Sequence, residues 1–421
     1  MHAVFTKPLD LVSAADISDL SVQTWPEGDE VEFKGALPLK SGGVHPWLNG
    51  QGTIGDYARD EVLAEVVAFT NNRGGSVMLG ISETADNPPR ADQVVALPRA
   101  GDLARRFEDQ ARSCIEPPLP RLQIRAIETD GAGGGVVVFR TSPSRAAPHR
   151  LTTTRECYTR RGSSTVKMTM REIQDMTLNV ARGLAGIDEA FKQRRDAFRK
   201  WAGGHGHAVK YRVTALPLVE LPDPGRLLGK GDAFLLPRGF QAKIGDNDLN
   251  LPLRVVGDLA ERPRLRGVAR SGKHESGDFV WELYQSGLSD LWISTRPWKY
   301  PGAEPAPLIL YHAEVLAVVA NTLTVLDHFR GYVGAPDVEY GMEIEIGPFV
   351  SSGEPLYYYG LFEQNGIDRH QFSDLSLLLP QFSVGYRGEF EKLLSMIDID
   401  LYDGLGIRRQ TSASLPLEVI F

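Results

Sequence analysis

Between Ala68 and Glu83 the chain reads Ala-Phe-Thr-Asn-Asn-Arg-Gly-Gly-Ser-Val-Met-Leu-Gly-Ile-Ser-Glu, and this run constrains the fold more than any other. Apolar residues at Ile54, Tyr57, Val62, Val66, Val67 and Phe69 give a helical stripe over Thr53–Asn72, with Asn71 and Asn72 near its end. Gly74-Gly75 then turns the backbone directly into an aliphatic strand, Ser76–Ser82. Upstream, Glu30–Leu37 alternates as a second strand with Glu30, Glu32 and Lys34 on one face. Glu27 stands at or before its start, and Glu83 at the exit of the Ser76–Ser82 strand. If the two strands are neighbours, carboxylates from distant segments converge. On the residues alone, acidic side chains at strand ends are usually just solvated.

A chain of 421 residues is larger than one ordinary core, so two domains are expected. The formal charge of −8 argues against coating nucleic acid by bulk electrostatics. A local basic excess does occur between Arg140 and Glu172. Within it Arg145, Arg150, Arg155, Arg160, Arg161 and Lys167 form a candidate phosphate-facing surface. Cys114 and Cys157 are the only cysteines, which excludes a disulfide framework and a cysteine-rich zinc site. Sparse thiols and the lack of an apolar leader fit the cytoplasm. The longest apolar run, Ala306–Leu326, carries His312, Glu314 and Asn321, so it is expected as a buried helix, not a membrane span.

The remaining pattern is α+β. A short helical piece over Ser13–Leu20, a loop over Lys40–Gly52 and a helix over Leu103–Ile115 are expected. Strands follow at Arg121–Glu128 and Val136–Thr141, joined through a glycine-rich turn, then at Glu156–Ser164. Thr169-Met-Arg-Glu172 is a capping box opening a helix to about Arg199, and Gly203–His207 breaks it. Three segments result: 1–185, a helix and linker over 186–207, and 208–421. The last mixes strands (Val209–Leu216, Leu253–Val256, Phe279–Tyr284, Leu291–Thr295, Met342–Ile346, Leu356–Leu361) with a helix over 307–329.

Motifs of common enzyme classes are missing. No GxxxxGK[ST], HExxH or GxSxG occurs, and Leu228-Gly-Lys-Gly-Asp232 is only a turn with a lysine. His312-Ala-Glu314 lacks the PCxxC that a deaminase zinc site needs, and His205 and His207 lie in the linker. The carboxylates remain. Oxygen ligands suit a hard cation such as Mg²⁺ or Mn²⁺, which polarises a phosphate and generates hydroxide, while Lys34 would steady developing negative charge.

Four elements in register carry a resemblance: Glu27 with Glu32-Phe33-Lys34; Ala68-Phe69 through Asn71, Gly74-Gly75, Gly80 and Ile81; Pro148-His149; and Tyr158-Thr-Arg160-Arg-Gly162-Ser163. Together they resemble the Schlafen AlbA-type domain over roughly residues 25–180. The resemblance implies a mixed sheet with packed helices that binds nucleic acid. It further implies a metal-dependent RNA nuclease acting on transfer RNA, with Glu27, Glu32 and Glu83 as catalytic and metal-binding trio. The family tends to have aspartate where Glu83 stands, and the zinc-ligand cysteines of animal members are missing. The expectation is a Mg²⁺/Mn²⁺-dependent endoribonuclease on structured RNA, in a bacterium suited to antiphage defence, its C-terminal α+β domain sensing a phage-derived or small-molecule trigger. A homodimer is left open, and no membrane association is expected. The rival is a non-catalytic nucleic-acid-binding transcriptional regulator of RNA or DNA. A third, ATP-binding, reading is opposed by the missing P-loop.

Overall fold

A computed structural model describes residues 2–50, 52–119, 121–206, 208–219, 221, 241–244, 247–248, 255, 259–274, 277–295, 308–349, 356–359, 368–372, 376–406 and 417–420. The chain divides into two compact units, Met1–Ala185 with Gly334–Val338, and Gly186–Val333 with Glu339–Phe421. Residues 186–206, expected as a linker, therefore belong to the second unit as far as they are described.

The N-terminal unit begins with two short helices, α1 (Ala3–Thr6) and α2 (Ala14–Val22), the second closed by a capping box between Ser13 and Asp16. Strand β1 (Val31–Lys34) is shorter than expected at both ends. A tight turn from Gly28 N–H to the Val31 carbonyl delays its start, leaving Glu30 outside it. Helix α3 (Asp56–Thr70) leads through Gly74-Gly75 into β2 (Gly75–Leu79). Gly75 is required there because a Cβ would lie 2.5 Å from the Phe69 ring and 2.7 Å from the Glu30 carbonyl oxygen.

The expected Ser76–Ser82 strand breaks at Gly80. Its second part becomes β3 (Ile81–Glu83), which pairs with β4 (Ala91–Val94) in a separate two-stranded sheet. Helix α4 (Ala100–Cys114), β5 (Ile115–Glu116), β6 (Leu122–Glu128) and β7 (Gly135–Thr141) follow. The main sheet runs β1-β2-β7-β6, with β1 and β2 parallel. Residue alternation sends Val77, Leu79, Val137 and Phe139 toward α3 and α4, and Phe33, Met78, Val136 and Val138 toward α1 and α2. Both faces are thus buried, at about 1.5–3 kcal/mol for each large aliphatic or aromatic side chain. A second sheet runs β10-β9-β8-β5, where β8 is Arg150–Leu151, β9 is Glu156–Arg161 and β10 is Ser164–Lys167.

Helix α5 (Met170–Gly203) runs on into the second unit, where Phe191, Phe198 and Ala202 are buried. That unit holds an eight-stranded sheet built from β11 (Lys210–Pro217), β12 (Glu261–Arg264), β13 (Gly267–His274), β14 (Gly277–Tyr284), β15 (Ser289–Thr295), β16 (Tyr340–Gly347), β17 (Leu377–Leu378) and β18 (Phe382–Val384). Its order is β12-β13-β14-β15-β11-β16-β17, with β18 also on β16, so that β11 lies between β15 and β16. The apolar run, expected as a helix from 307, instead forms a short strand over Leu308–Tyr311 before α6 (His312–Val333), which is buried along most of its length, and no helix among the described residues is long and apolar enough to cross a membrane. Of the strand expected at Leu253–Val256 only Val255 is described. His207, 228–232, residue 307 and residues 360–361 of the expected Leu356–Leu361 strand also lie outside the described residues.

Candidate functional site

The site lies along the β1 edge of the N-terminal sheet. Glu27 folds its carboxylate back so that Oε1 accepts the Phe33 N–H at 2.7 Å. Burial pushes its pKa up to about 8; the Phe33 N–H opposes this, while the charges of Glu32 and Glu83 and a hydrogen bond with Glu83 add to it. Glu27 therefore holds a proton at neutral pH that a cation could replace. Glu83, the last residue of β3, is exposed, so the trio comprises two buried carboxylates and one open to solvent.

Glu32 and Lys34 stand opposite Val77 and Leu79, which places their side chains on the face covered by α3. There they meet Glu65, a residue that the sequence reading passed over. Lys34 Nζ donates to Glu32 Oε1 at 2.8 Å and lies 3.6 Å from Glu65 Oε1. Arg160 Nη1 donates to Glu32 Oε2 at 3.0 Å and to Glu65 Oε2 at 2.7 Å. Two acids and two bases thus close a ring in which each charge faces both opposite charges. Burial would lower the Lys34 pKa, but Glu32 and Glu65 outweigh it and the pKa rises. Burial raises that of Glu65. One turn along α3 from Glu65, the Phe69 ring lies 4.6 Å from the Arg160 guanidinium, and Arg160 Nη2 donates to the Gly28 carbonyl at 2.9 Å. The signal for Glu65 was a single charge inside Val62-Leu-Ala-Glu-Val-Val-Ala-Phe69, an otherwise apolar run.

Arg160 consequently departs from its expected place. Its side chain is 0% exposed. Alternation along β9 sends Arg160 inward to the carboxylates and Arg161 outward, so Arg160 holds the acidic site and is not part of a phosphate-facing surface. The other five basic candidates, Arg145, Arg150, Arg155, Arg161 and Lys167, are exposed. Three form surface pairs: Arg150 with Glu116 at 2.8 Å, Arg161 with Glu172 at 2.6 Å, and Lys167 with Glu156 at 3.1 Å. Pairs this exposed are weak and exchange readily for phosphate.

Asn71 ties these pieces together. Its Nδ2 donates to the His149 and Tyr158 carbonyls at 2.8 and 2.9 Å, and its Oδ1 accepts the His149 N–H at 2.7 Å. The end of α3 is thereby pinned to β9, which fixes Arg160 against Glu65. His149 is fully buried, with Nδ1 2.7 Å from the Pro117 carbonyl oxygen and a pKa lowered by burial. It is a structural histidine without access to a substrate.

Among the described residues, no three His, Cys, Asp or Glu side chains close as a group fit to hold a metal ion. The donor chemistry at Glu27, Glu32 and Glu83 is nevertheless that of a hard cation. Each oxygen of Glu32 accepts from one cation, Oε1 from Lys34 and Oε2 from Arg160, so its negative charge is already largely matched by these partners.

The N-terminal unit is thus an α+β domain with a mixed sheet buried on both faces and a charged cluster on its edge strand. Residues 27–169 match the family described as Schlafen, AlbA_2, and this part of the chain is a Schlafen/AlbA-like domain, which supports nucleic-acid binding. The solution NMR structure of the N-terminal domain of a RecG-related protein from Nitrosomonas europaea is similar at 20% identity over 34% of this chain and 82% of that one, with a TM-score of 0.24. At that score the assignment rests on the family match. No curated protein matches the chain.

Proposed function

We propose that this protein is a metal-dependent endoribonuclease acting on structured RNA, with transfer RNA as the expected substrate. The observation that carries the reading is a charge imbalance: with Glu27 protonated, Glu32, Glu65 and Glu83 lie around only Lys34 and Arg160. Three charged carboxylates against two cations leave a surplus of negative charge, and a divalent cation that displaced the Glu27 proton would balance it. Glu27, Glu32 and Glu83 would hold Mg²⁺ or Mn²⁺. The ion would supply charge to a scissile phosphate and acidify a bound water. Lys34 would face the negative charge that develops on the phosphate. Arg145, Arg150, Arg155, Arg161 and Lys167 would position the RNA backbone without reading its sequence. The C-terminal α+β unit would sense a phage-derived or small-molecule trigger in a cytoplasmic antiphage system.

The test is incubation of the full chain with total RNA and Mn²⁺, beside a Glu32→Ala/Glu83→Ala double variant. Discrete cleavage by the parent alone supports the nuclease. A second reading, a non-catalytic nucleic-acid-binding regulator, draws on the engagement of both Glu32 oxygens by cations. It requires Glu32→Gln to leave nucleic-acid binding and biological effect intact, with no cleavage by the parent under any metal.

A further inference from the structure

We infer that the hairpin of β12 and β13 in the C-terminal unit is a second nucleic-acid-binding element, which grips the phosphate backbone of a DNA duplex through Arg262 and Arg266. This element shares no residue with the acidic site, and its binding does not depend on the nuclease reading. From Glu261 to His274 the hairpin carries Arg262, Arg264, Arg266, Arg270 and Lys273 against Glu261 alone, in a chain whose formal charge is −8. Such a local reversal of sign is the electrostatic footprint of a polyanion.

β12 is the outer strand of its sheet, and its ladder closes with Arg264 opposite Gly267, so Leu265 and Arg266 alone form the apex. Glu282 holds Arg264 at 3.1 Å and Glu261 holds Arg270 at 3.5 Å. Arg262 and Arg266 are exposed, and neither has an ion-pair partner among the described residues. Arg266 has a φ of 54°, in the left-handed region where glycine is the unstrained choice. An arginine at such a turn position points to a use for its side chain. Leu265 beside it is 89% exposed. One exposed leucine is ordinary, but at the apex between two arginines it offers an apolar contact to a sugar or base edge. Charge on an edge strand also serves to repel other strands, and Pro263 serves that end by leaving the edge one N–H short. Pro263 thus disfavours a protein that would add a strand there, whereas Arg266 lies beyond the ladder and has no such duty. A two-stranded ribbon fits the major groove of B-form DNA, while that of an RNA duplex is too narrow. A flat anionic membrane would meet the apex alone.

The test uses the full chain and anisotropy titrations over a range of salt, with a labelled DNA duplex of arbitrary sequence, the same sequence as duplex RNA, and vesicles of anionic lipid. Arg145→Gln/Arg161→Gln first reduces binding by the N-terminal surface, and Arg262→Gln and Arg266→Gly are compared in that background. Each should lower the salt dependence of DNA affinity by about one counter-ion, and the two together by about two, with affinity falling several-fold. Glycine suits the left-handed backbone, so Arg266→Gly should keep or raise the melting temperature while it loses affinity. Damage to the fold cannot produce that combination. Arg266→Lys keeps the charge and should retain the parental salt slope. Unchanged DNA affinity and slope after both substitutions overturn the inference, as does an equal hairpin dependence for duplex RNA or for the vesicles. A chain that binds no DNA once Arg145 and Arg161 are replaced leaves the N-terminal surface as the sole contact and overturns it too. None of these outcomes depends on RNA cleavage, which succeeds or fails separately.

Discussion

Two clusters of arginine and carboxylate, one in each unit, look alike in composition and differ in balance. In the C-terminal unit, Arg194, Arg195 and Arg199 of α5 and Arg212 of β11 face Glu282, Asp290, Glu343 and Glu345. Arg264 also reaches Glu282 at 3.1 Å, and Thr214 donates to Asp290 at 2.6 Å. Five arginines there meet four carboxylates, so no negative charge is left over, and Arg212, Asp290 and Glu345 are fully buried. In the N-terminal unit Glu32 and Glu65 share Lys34 and Arg160, while Glu27 and the exposed Glu83 add two further carboxyl groups beside them. A balanced buried layer specifies packing between a helix and a sheet. A partly open cluster with surplus charge has capacity left for a ligand.

The largest effect should come from breaking the balanced layer. Arg212→Met leaves Glu343 and Glu345 without their central partner and is expected to destabilise the C-terminal unit by about 3–5 kcal/mol. Urea unfolding followed through the buried Trp281 and Trp292 would measure it. A neutral result would mean that the layer is not holding α5 to the sheet. Glu32→Gln makes the contrasting case. It should cost the N-terminal unit less stability, since Glu65 still pairs Lys34 and Arg160, yet lower Mn²⁺-dependent RNA cleavage by about a hundredfold or more. Cleavage retained at the parental rate would remove Glu32 from the chemistry and leave the two clusters equivalent.

The difference between the clusters was only partly legible in the sequence. Glu27, Glu32 and Glu83 were visible because they punctuate strand-like runs, and the glycine pair after α3 announced the turn that sets β2 beside β1. Glu65 was hidden because helical periodicity assigned its neighbours to a core, and one charge in such a stripe reads as a surface position. Arg160 was misplaced for a related reason. A strand of alternating exposure puts adjacent arginines on opposite faces, and composition alone cannot say which of Arg160 and Arg161 points inward. The balanced layer in the other unit escaped entirely, since its members come from α5 and from strands far apart in sequence. Local pattern reports the period of an element; it does not report which charges tertiary pairing will bury.

Proton linkage separates the clusters further. Glu27 is raised from 4.5 to about 8 and Asp290 from 3.8 to about 6, in both cases chiefly by burial. Each folded form therefore binds more protons than the unfolded chain within its own window, so stability falls as pH rises through it. The Asp290 contribution should be spent by about pH 6, whereas that of Glu27 continues to about pH 8. Denaturation between pH 6 and 8 should thus show a declining stability that Glu27→Gln flattens and Asp290→Asn does not. In the same interval Mn²⁺ binding should tighten with pH, because the Glu27 proton must leave first. A decline that survives Glu27→Gln would assign the titration to another group.

The smallest effect distinguishes the two neighbouring arginines of β9. Arg161 is exposed and paired to Glu172 only at the surface, so it can transfer to a phosphate. Arg161→Gln should weaken RNA binding a few-fold and reduce the salt dependence of affinity by about one counter-ion, equally for all sequences. Arg160→Gln should leave that salt slope unchanged, since Arg160 is buried against Glu32 and Glu65 and meets no solvent phosphate. It should act instead on the site, by loosening the hold on Glu32. Binding isotherms from 50 to 200 mM salt, the range over which phosphate contacts are conventionally resolved, read both outcomes. A lower slope for Arg160→Gln would mean that the ring opens when RNA arrives and gives its guanidinium to the backbone, turning the buried arginine into the link between RNA binding and release of Glu32.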